Sequence, residues 1–106
     1  MNALAAFESQ DYPRAITLLT PLAQSGDVLA QCLLGNCYQL GLGTAPNLQQ
    51  AMDWYRAAAE QGDGLAANNL AVILLTSNRQ AADEWFARSR ALGFIHAPVN
   101  GDYLVN

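Results

Sequence analysis

The sequence contains few charged residues and no lysine. Charged residues make up 13% of the 106 residues, and nine acidic residues outnumber five arginines, which gives a net charge of −4. Nucleic-acid binding needs clustered positive charge to displace counterions from phosphates, so DNA and RNA are poor candidates as partners. The low charge also leaves much of a small domain's surface uncharged, and we expect a partner or a second copy to cover part of it.

Segments typical of membrane insertion or export are also missing. No run approaches the ~20 apolar residues that a membrane-spanning helix requires. The first residues lack the basic region and the long apolar region of a signal peptide. If Met1 is the true start, we therefore expect a cytoplasmic protein without membrane association.

Side chains suited to catalysis or metal binding are scarce. The only histidine is His96, and the only cysteines are Cys32 and Cys37. On a helix these cysteines point about 140° apart, so they neither bond to each other nor converge on a metal, and we expect both to be reduced. His96 has no serine or cysteine motif around it, and the 41–43 glycine loop lacks the lysine of a phosphate loop. We predict no catalytic residue, no cofactor and no metal, and therefore no enzyme.

The sequence instead contains an internal repeat. A shift of 36 residues aligns the chain with itself, and a shift of 31 does so further along. The first shift aligns Ala15 with Ala51, Gly26 with Gly62, Asp27 with Asp63 and Leu34 with Leu70, and the second aligns Trp54 with Trp85, Tyr55 with Phe86 and Gly62 with Gly93. The two shifts differ because the loop at 41–47 shortens to 76–78. Such a period is typical of stacked helical hairpins.

The composition and the apolar spacing predict an all-α fold, a short α-α superhelix of about three antiparallel helix hairpins with incomplete outer units. Asn47 and Asn78 are predicted N-caps, and Gly26, Gly62 and Gly93 are predicted to close helices in the left-handed conformation. The predicted helices lie near 2–9, 12–25, 28–40, 47–61, 65–76 and 79–91.

Small residues inside two of these helices predict close packing, and a proline inside another helix predicts a bend. Gly35 and Ala71 are expected to remove bulk where two backbones approach closely. Pro21 is expected to bend the second helix, because it removes one backbone donor.

The second hairpin resembles a known family. Residues 30–38, followed by Gly41-Leu42-Gly43, resemble the first half of a Sel-one-like repeat, a relative of the tetratricopeptide repeat, and residues 47–63 resemble its second half. The resemblance is strong over 28–63 and partial over the flanking residues. It implies one repeat domain over 1–106, with units at about 1–27, 28–63 and 64–93 and a C-terminal tail at 94–106.

The resemblance implies an α-solenoid adaptor or scaffold that binds another protein, which we expect in a bacterial cytoplasm. A narrower alternative is an immunity protein that neutralises a toxin. A small hydrolase or ligand-binding protein is the contrasting class, and a fragment of a longer solenoid is a further one. A homodimer is also possible, through the solenoid ends or through residues 94–99 docking onto a second copy.

The resemblance also indicates where a partner would bind. In such solenoids the first helix of each unit lines the concave side. This side would be uncharged and partly apolar, which suits a helix or an extended peptide. The alternative is that Leu29, Val72 and Leu75 are simply core residues. The predicted partner-binding residues are Leu29, Cys32, Asn36, Gln39, Asn68, Val72 and Leu75.

Overall fold

The computed structural model describes residues 2–93, which form six α-helices and no β-strand. Every predicted helix is present, and its ends agree with the prediction to within two residues. The all-α fold class is therefore confirmed. The helices are α1 (Ala3–Glu8), α2 (Tyr12–Gln24), α3 (Val28–Leu40), α4 (Leu48–Glu60), α5 (Gly64–Leu74) and α6 (Arg79–Ala91).

Side-chain caps explain why most of these helices begin where they do. An aspartate or asparagine oxygen accepts a hydrogen bond from the backbone N–H three residues later, at 2.8–3.0 Å. Each bond satisfies a donor that has no partner within the helix. The predicted caps Asn47 and Asn78 are confirmed. The residues that cap in this way are Asn2, Asp27, Asn47, Asp63 and Asn78.

Glycines end the hairpins as predicted. Gly26, Gly62 and Gly93 have φ angles of 103°, 102° and 90°, a conformation that other residues rarely adopt. Helix α2 does not end at Pro21 but continues to Gln24. The chain therefore turns back on itself after each second helix, at a residue that tolerates the turn.

The helices stack in sequence order. Helix α3 packs against α4 and α5 packs against α6, while the α2–α3 and α4–α5 contacts join successive hairpins. Helix α1 has six residues and packs against the thirteen-residue α2, so the first hairpin is shortened, as predicted. The described residues thus form a short α-solenoid in which each hairpin buries its apolar side against the next.

The expectation for Gly35 needs a correction. A Cβ atom at position 35 would lie 2.6 Å from Cδ1 and 2.8 Å from Cζ of Tyr55. The space that glycine leaves is therefore filled by an aromatic ring of α4 and not by a second backbone. Tyr55 itself is completely buried, so its ring has little freedom to move aside.

Candidate partner-binding surface

Helices α3 and α5 contain no charged residue, whereas α4 and α6 carry most of the charges of the described chain. The two uncharged helices expose only four residues, and all four are aliphatic. We call these residues the aliphatic face: Leu29 (55% exposed), Leu40 (65%), Leu65 (49%) and Val72 (43%). By contrast, the exposed residues of α4 are mostly polar or charged.

This arrangement is unusual for a surface that meets only water. A helix at the edge of a globular protein normally places polar residues on its exposed side. Single exposed leucines are common, but exposed residues that are all aliphatic on equivalent helices of two successive hairpins are typical of a contact surface. Leu29 and Leu65 occupy equivalent positions in the repeat, so an exposed leucine occurs at this position in both hairpins.

The predicted partner-binding residues occupy three kinds of environment. Leu29 and Val72 are exposed, so the alternative that they are core residues is wrong. Leu75 is partly buried and packs against the core of the α4–α6 region, which fits that alternative. Cys32, Asn36, Gln39 and Asn68 are partly buried.

Two of the polar candidates hold a buried tyrosine. The hydroxyl of Tyr55 lies 2.6 Å from Oδ1 of Asn36 and 2.8 Å from Oε1 of Gln39. Burial raises the pKa of this hydroxyl above its ordinary value, and a hydrogen bond with Asn69 opposes that rise. The hydroxyl carries one proton, which it donates toward these two amide oxygens, and both oxygens can only accept. Asn36, Gln39 and Asn69 thereby connect α3, α4 and α5.

Cys32 also joins successive hairpins. Its thiol donates to Oδ2 of Asp63 at 3.3 Å, the same oxygen that caps α5. Burial, together with the nearby charge of Asp63, raises the pKa of Cys32 to about 12. Burial also raises the pKa of Cys37. Both cysteines are free and stay protonated at neutral pH, so neither is an activated nucleophile.

Asn68 differs from the other polar candidates. Its Oδ1 atom is buried, and no donor within residues 2–93 reaches it. Cys32 occupies the equivalent position one repeat earlier and has Asp63 as its acceptor. Asn68 therefore keeps an unused hydrogen-bonding group that Cys32 does not have.

Two buried polar residues, Gln31 and Ser89, were not predicted from the sequence. The Gln31 amide donates to the carbonyl of Ala23 at 3.0 Å and accepts from Gln61 at 2.9 Å. Ser89 is fully buried and donates to the carbonyl of Gly64 at 2.8 Å. Both stand where the apolar period calls for a core residue, and a polar residue in such a place is the signal that could have identified them.

Neither a metal site nor a membrane span is found among the described residues. Within 2–93 no three histidine, cysteine or acidic side chains come together as metal ligands would. No helix in this range has the length and apolar character needed to cross a bilayer. The predictions concerning His96 and the 94–99 segment lie outside the described residues.

The stacked hairpins define a helical-repeat solenoid. Within that class, the family model of the Sel1 repeat matches residues 28–63, the hairpin formed by α3 and α4. Residues 28–63 therefore form a Sel1-like repeat, which confirms the resemblance seen in the sequence of this hairpin.

Relatives of known identity support this assignment. A Sel1 repeat protein from Oxalobacter formigenes has a similar structure, with a TM-score of 0.84 and 28% sequence identity. The match covers 96% of this chain and 44% of that one. The mouse protein DAP3-binding cell death enhancer 1 is 36% identical over 63 residues, which is 59% of this chain and 12% of the mouse protein. The chain thus spans less than half the length of either relative.

Sel1 repeat proteins are generally protein-interaction modules, and their fold is typically a non-catalytic scaffold. The name of the mouse relative describes that protein as one that binds another protein. These properties fit a solenoid whose most distinctive surface is an aliphatic face.

Proposed function

We propose that this chain is an adaptor of the bacterial cytoplasm that binds a protein partner through the aliphatic face. Residues 1–106 would act as one repeat domain in this role. The observation that carries the proposal is that every exposed residue of α3 and α5 is aliphatic and that neither helix has a charge. Two free cysteines also suit a reducing compartment such as the cytoplasm.

The chemistry of the face limits the kind of partner. A charged segment would lose its hydration against Leu29, Leu65 and Val72 and would find no opposite charge in α3 or α5. An apolar segment would gain free energy in proportion to the apolar area that it buries. We therefore expect an uncharged, apolar segment of the partner to contact these residues, with Cys32, Asn36, Gln39, Asn68 and Leu75 beside them.

Charge insertion tests the proposal. Leu29→Glu combined with Leu65→Glu places two carboxylates on the face, each in the first turn of a helix, where a negative charge is favourable and the fold is kept. Leu48→Glu is the matched control, because Leu48 is 52% exposed and also lies in a first turn, but on α4.

The measurement is capture from a lysate of the native cells by the immobilised protein, followed by quantitative mass spectrometry. We expect a partner that is retained by the wild type and by Leu48→Glu and is reduced about 10-fold or more by the double variant. A partner retained equally by all three proteins would contradict the proposal.

A second copy of the chain could bind the aliphatic face in place of a different protein. Light scattering at high micromolar concentration gives the mass in solution. A dimer that the Leu29→Glu, Leu65→Glu variant dissociates would identify self-association through this face, whereas a monomer leaves the face to a different protein.

A further inference from the structure

A second feature lies on helix α4, which contributes no residue to the aliphatic face. A surface pocket of about 230 Å³ is lined by Gln50, Asp53, Trp54 and Ala57. These residues follow the i, i+3, i+4, i+7 spacing of one helix face. We call it the Trp54 pocket. Trp54 is half-buried and packs against the core formed by α1, α2 and α3, so its indole is held in place by the preceding helices.

The next hairpin contains the same tryptophan with a different neighbour. The 31-residue shift aligns Trp54 with Trp85 and Ala57 with Arg88. The guanidinium carbon of Arg88 lies 4.1 Å from the centre of the Trp85 ring, a cation–π contact. At Trp54 the residue three positions later is an alanine, and a pocket lies beside the ring. The chain therefore covers one of its two indoles with its own arginine and leaves the other open.

The charge around the Trp54 pocket suits a cation. Asp53 lines the pocket and is exposed, and it corresponds to Glu84 beside Trp85. Its Oδ1 accepts from Nε2 of Gln49 at 3.0 Å and lies 3.8 Å from Nη1 of Arg56. An exposed ion pair at that distance contributes little, so an incoming guanidinium can compete for the carboxylate. The net charge of −4 favours the approach of a basic segment.

The preceding hairpin has no tryptophan at the position equivalent to Trp54. The 36-residue shift aligns Trp54 with Leu18 and Asp53 with Thr17, and a depression there is lined partly by these two residues. It has neither an aromatic face nor a carboxylate at the equivalent positions. The combination of a tryptophan, an acid and a missing arginine occurs only at α4 among the three described hairpins.

We propose that the Trp54 pocket binds an arginine side chain from a basic segment of a partner protein. The guanidinium stacks on the indole, as Arg88 does on Trp85, and its N–H groups donate to the Asp53 carboxylate. Arginine is favoured over lysine because its planar group stacks on an aromatic ring and is weakly hydrated. The pocket is separate from the aliphatic face, so the two proposals stand or fall independently.

The test follows the two indole N–H signals by NMR during titration with N-acetyl-arginine amide. N-acetyl-citrulline amide, which has the same shape without the charge, is the control ligand. We expect the Trp54 signal to shift in a saturable way at concentrations up to about 100 mM, which covers a Kd of tens of millimolar. The Trp85 signal serves as the internal reference and should move far less, because Arg88 already covers its ring.

Variants taken from the repeat itself make the test specific. Ala57→Arg places in the second hairpin the arginine that covers Trp85 in the third. It should abolish the shift of the Trp54 indole signal on titration with N-acetyl-arginine amide. Arg88→Ala places in the third hairpin the alanine of the second. It should allow the Trp85 indole signal to shift in the same titration. Asp53→Asn should weaken the binding about 5-fold, as expected from the loss of one exposed charged contact. Circular dichroism of each variant verifies that the helices are intact.

Several outcomes would overturn the proposal. These are equal shifts with citrulline, equal shifts of both indoles in the wild type, a response that survives Ala57→Arg in a folded protein, or no saturable shift over the whole titration.

Discussion

The hairpin of α3 and α4 and the hairpin of α5 and α6 share one backbone design but differ in the chemistry around one buried aromatic residue. Tyr55 of the first corresponds to Phe86 of the second, and Gly35 corresponds to Ala71. The amides Asn36 and Gln39, which contact the Tyr55 hydroxyl, correspond to Val72 and Leu75. In the hairpin whose ring carries a hydroxyl, residues 36 and 39 are polar, and in the hairpin whose ring lacks it the residues at the equivalent positions are aliphatic.

This difference indicates that residues in contact with one another change together from one repeat to the next. A buried hydroxyl without a partner costs more free energy than an ordinary hydrogen bond returns, so the tyrosine and its amides must be kept or replaced together. The glycine belongs to the same group, because the Tyr55 ring occupies the space of its missing side chain. Changes that break the group should destabilise the fold, and changes that exchange the whole group should not.

The largest effect is expected for Gly35→Ala. Alanine normally stabilises a helix by about 1 kcal/mol relative to glycine. Here the new Cβ would lie 2.6 Å from a ring atom of a fully buried tyrosine, so overpacking should outweigh that gain. We expect a net loss of about 2 kcal/mol in the free energy of unfolding, measured by urea denaturation.

The matched change in the other hairpin is Ala71→Gly, which should cost about 1 kcal/mol through helix propensity alone. A Gly35→Ala protein that is more stable than the wild type would show that the Tyr55 ring does not depend on the glycine.

A smaller effect is expected for Tyr55→Phe, which makes the second hairpin resemble the third at one position only. Removing the hydroxyl leaves Asn36 and Gln39 without their shared partner, which should cost about 1.5 kcal/mol. Adding Asn36→Val and Gln39→Leu replaces both amides together with the hydroxyl and should recover most of the lost stability, because only Asn69 then still lacks the hydroxyl.

Thermal unfolding of the single and triple variants tests the coupling. If the triple variant is less stable than Tyr55→Phe, the amides contribute independently of the hydroxyl.

The smallest loss of stability is expected from removing the N-caps of α3 and α5. Asp27→Ala should cost about 1 kcal/mol by removing an N-cap. Asp63→Ala should cost slightly more, because Asp63 also accepts from the thiol of Cys32. A Cys32→Ala background should remove this difference in denaturation midpoint. A difference that persists in that background would mean that the thiol contact is not its source.

The helices and their order were predictable because their signals are local. A cap such as Asn47 acts within one turn, and the left-handed glycines such as Gly62 act at the turn where they stand. The apolar spacing of Ala51, Trp54, Tyr55 and Ala58 likewise predicts one apolar helix face. Three of these residues are fully buried, and Trp54 is half-buried.

The contacts between hairpins were not predictable in the same way. The partners of Tyr55 lie 19 and 16 residues away, and Asp63 lies 31 residues from Cys32. Nothing in the local pattern specifies which of several polar residues meet across such a separation. The role of Gly35 was misjudged for this reason, and Gln31 and Ser89 were missed.

The amino-acid sequence alone determined a repeat of helical hairpins, since period, caps and turn residues act over a few positions of the chain. The tertiary structure decided which side chains face water and which meet one another. It left an aliphatic face on α3 and α5 and an uncovered indole on α4, because exposure depends on how neighbouring hairpins pack and not on the residues of any one helix.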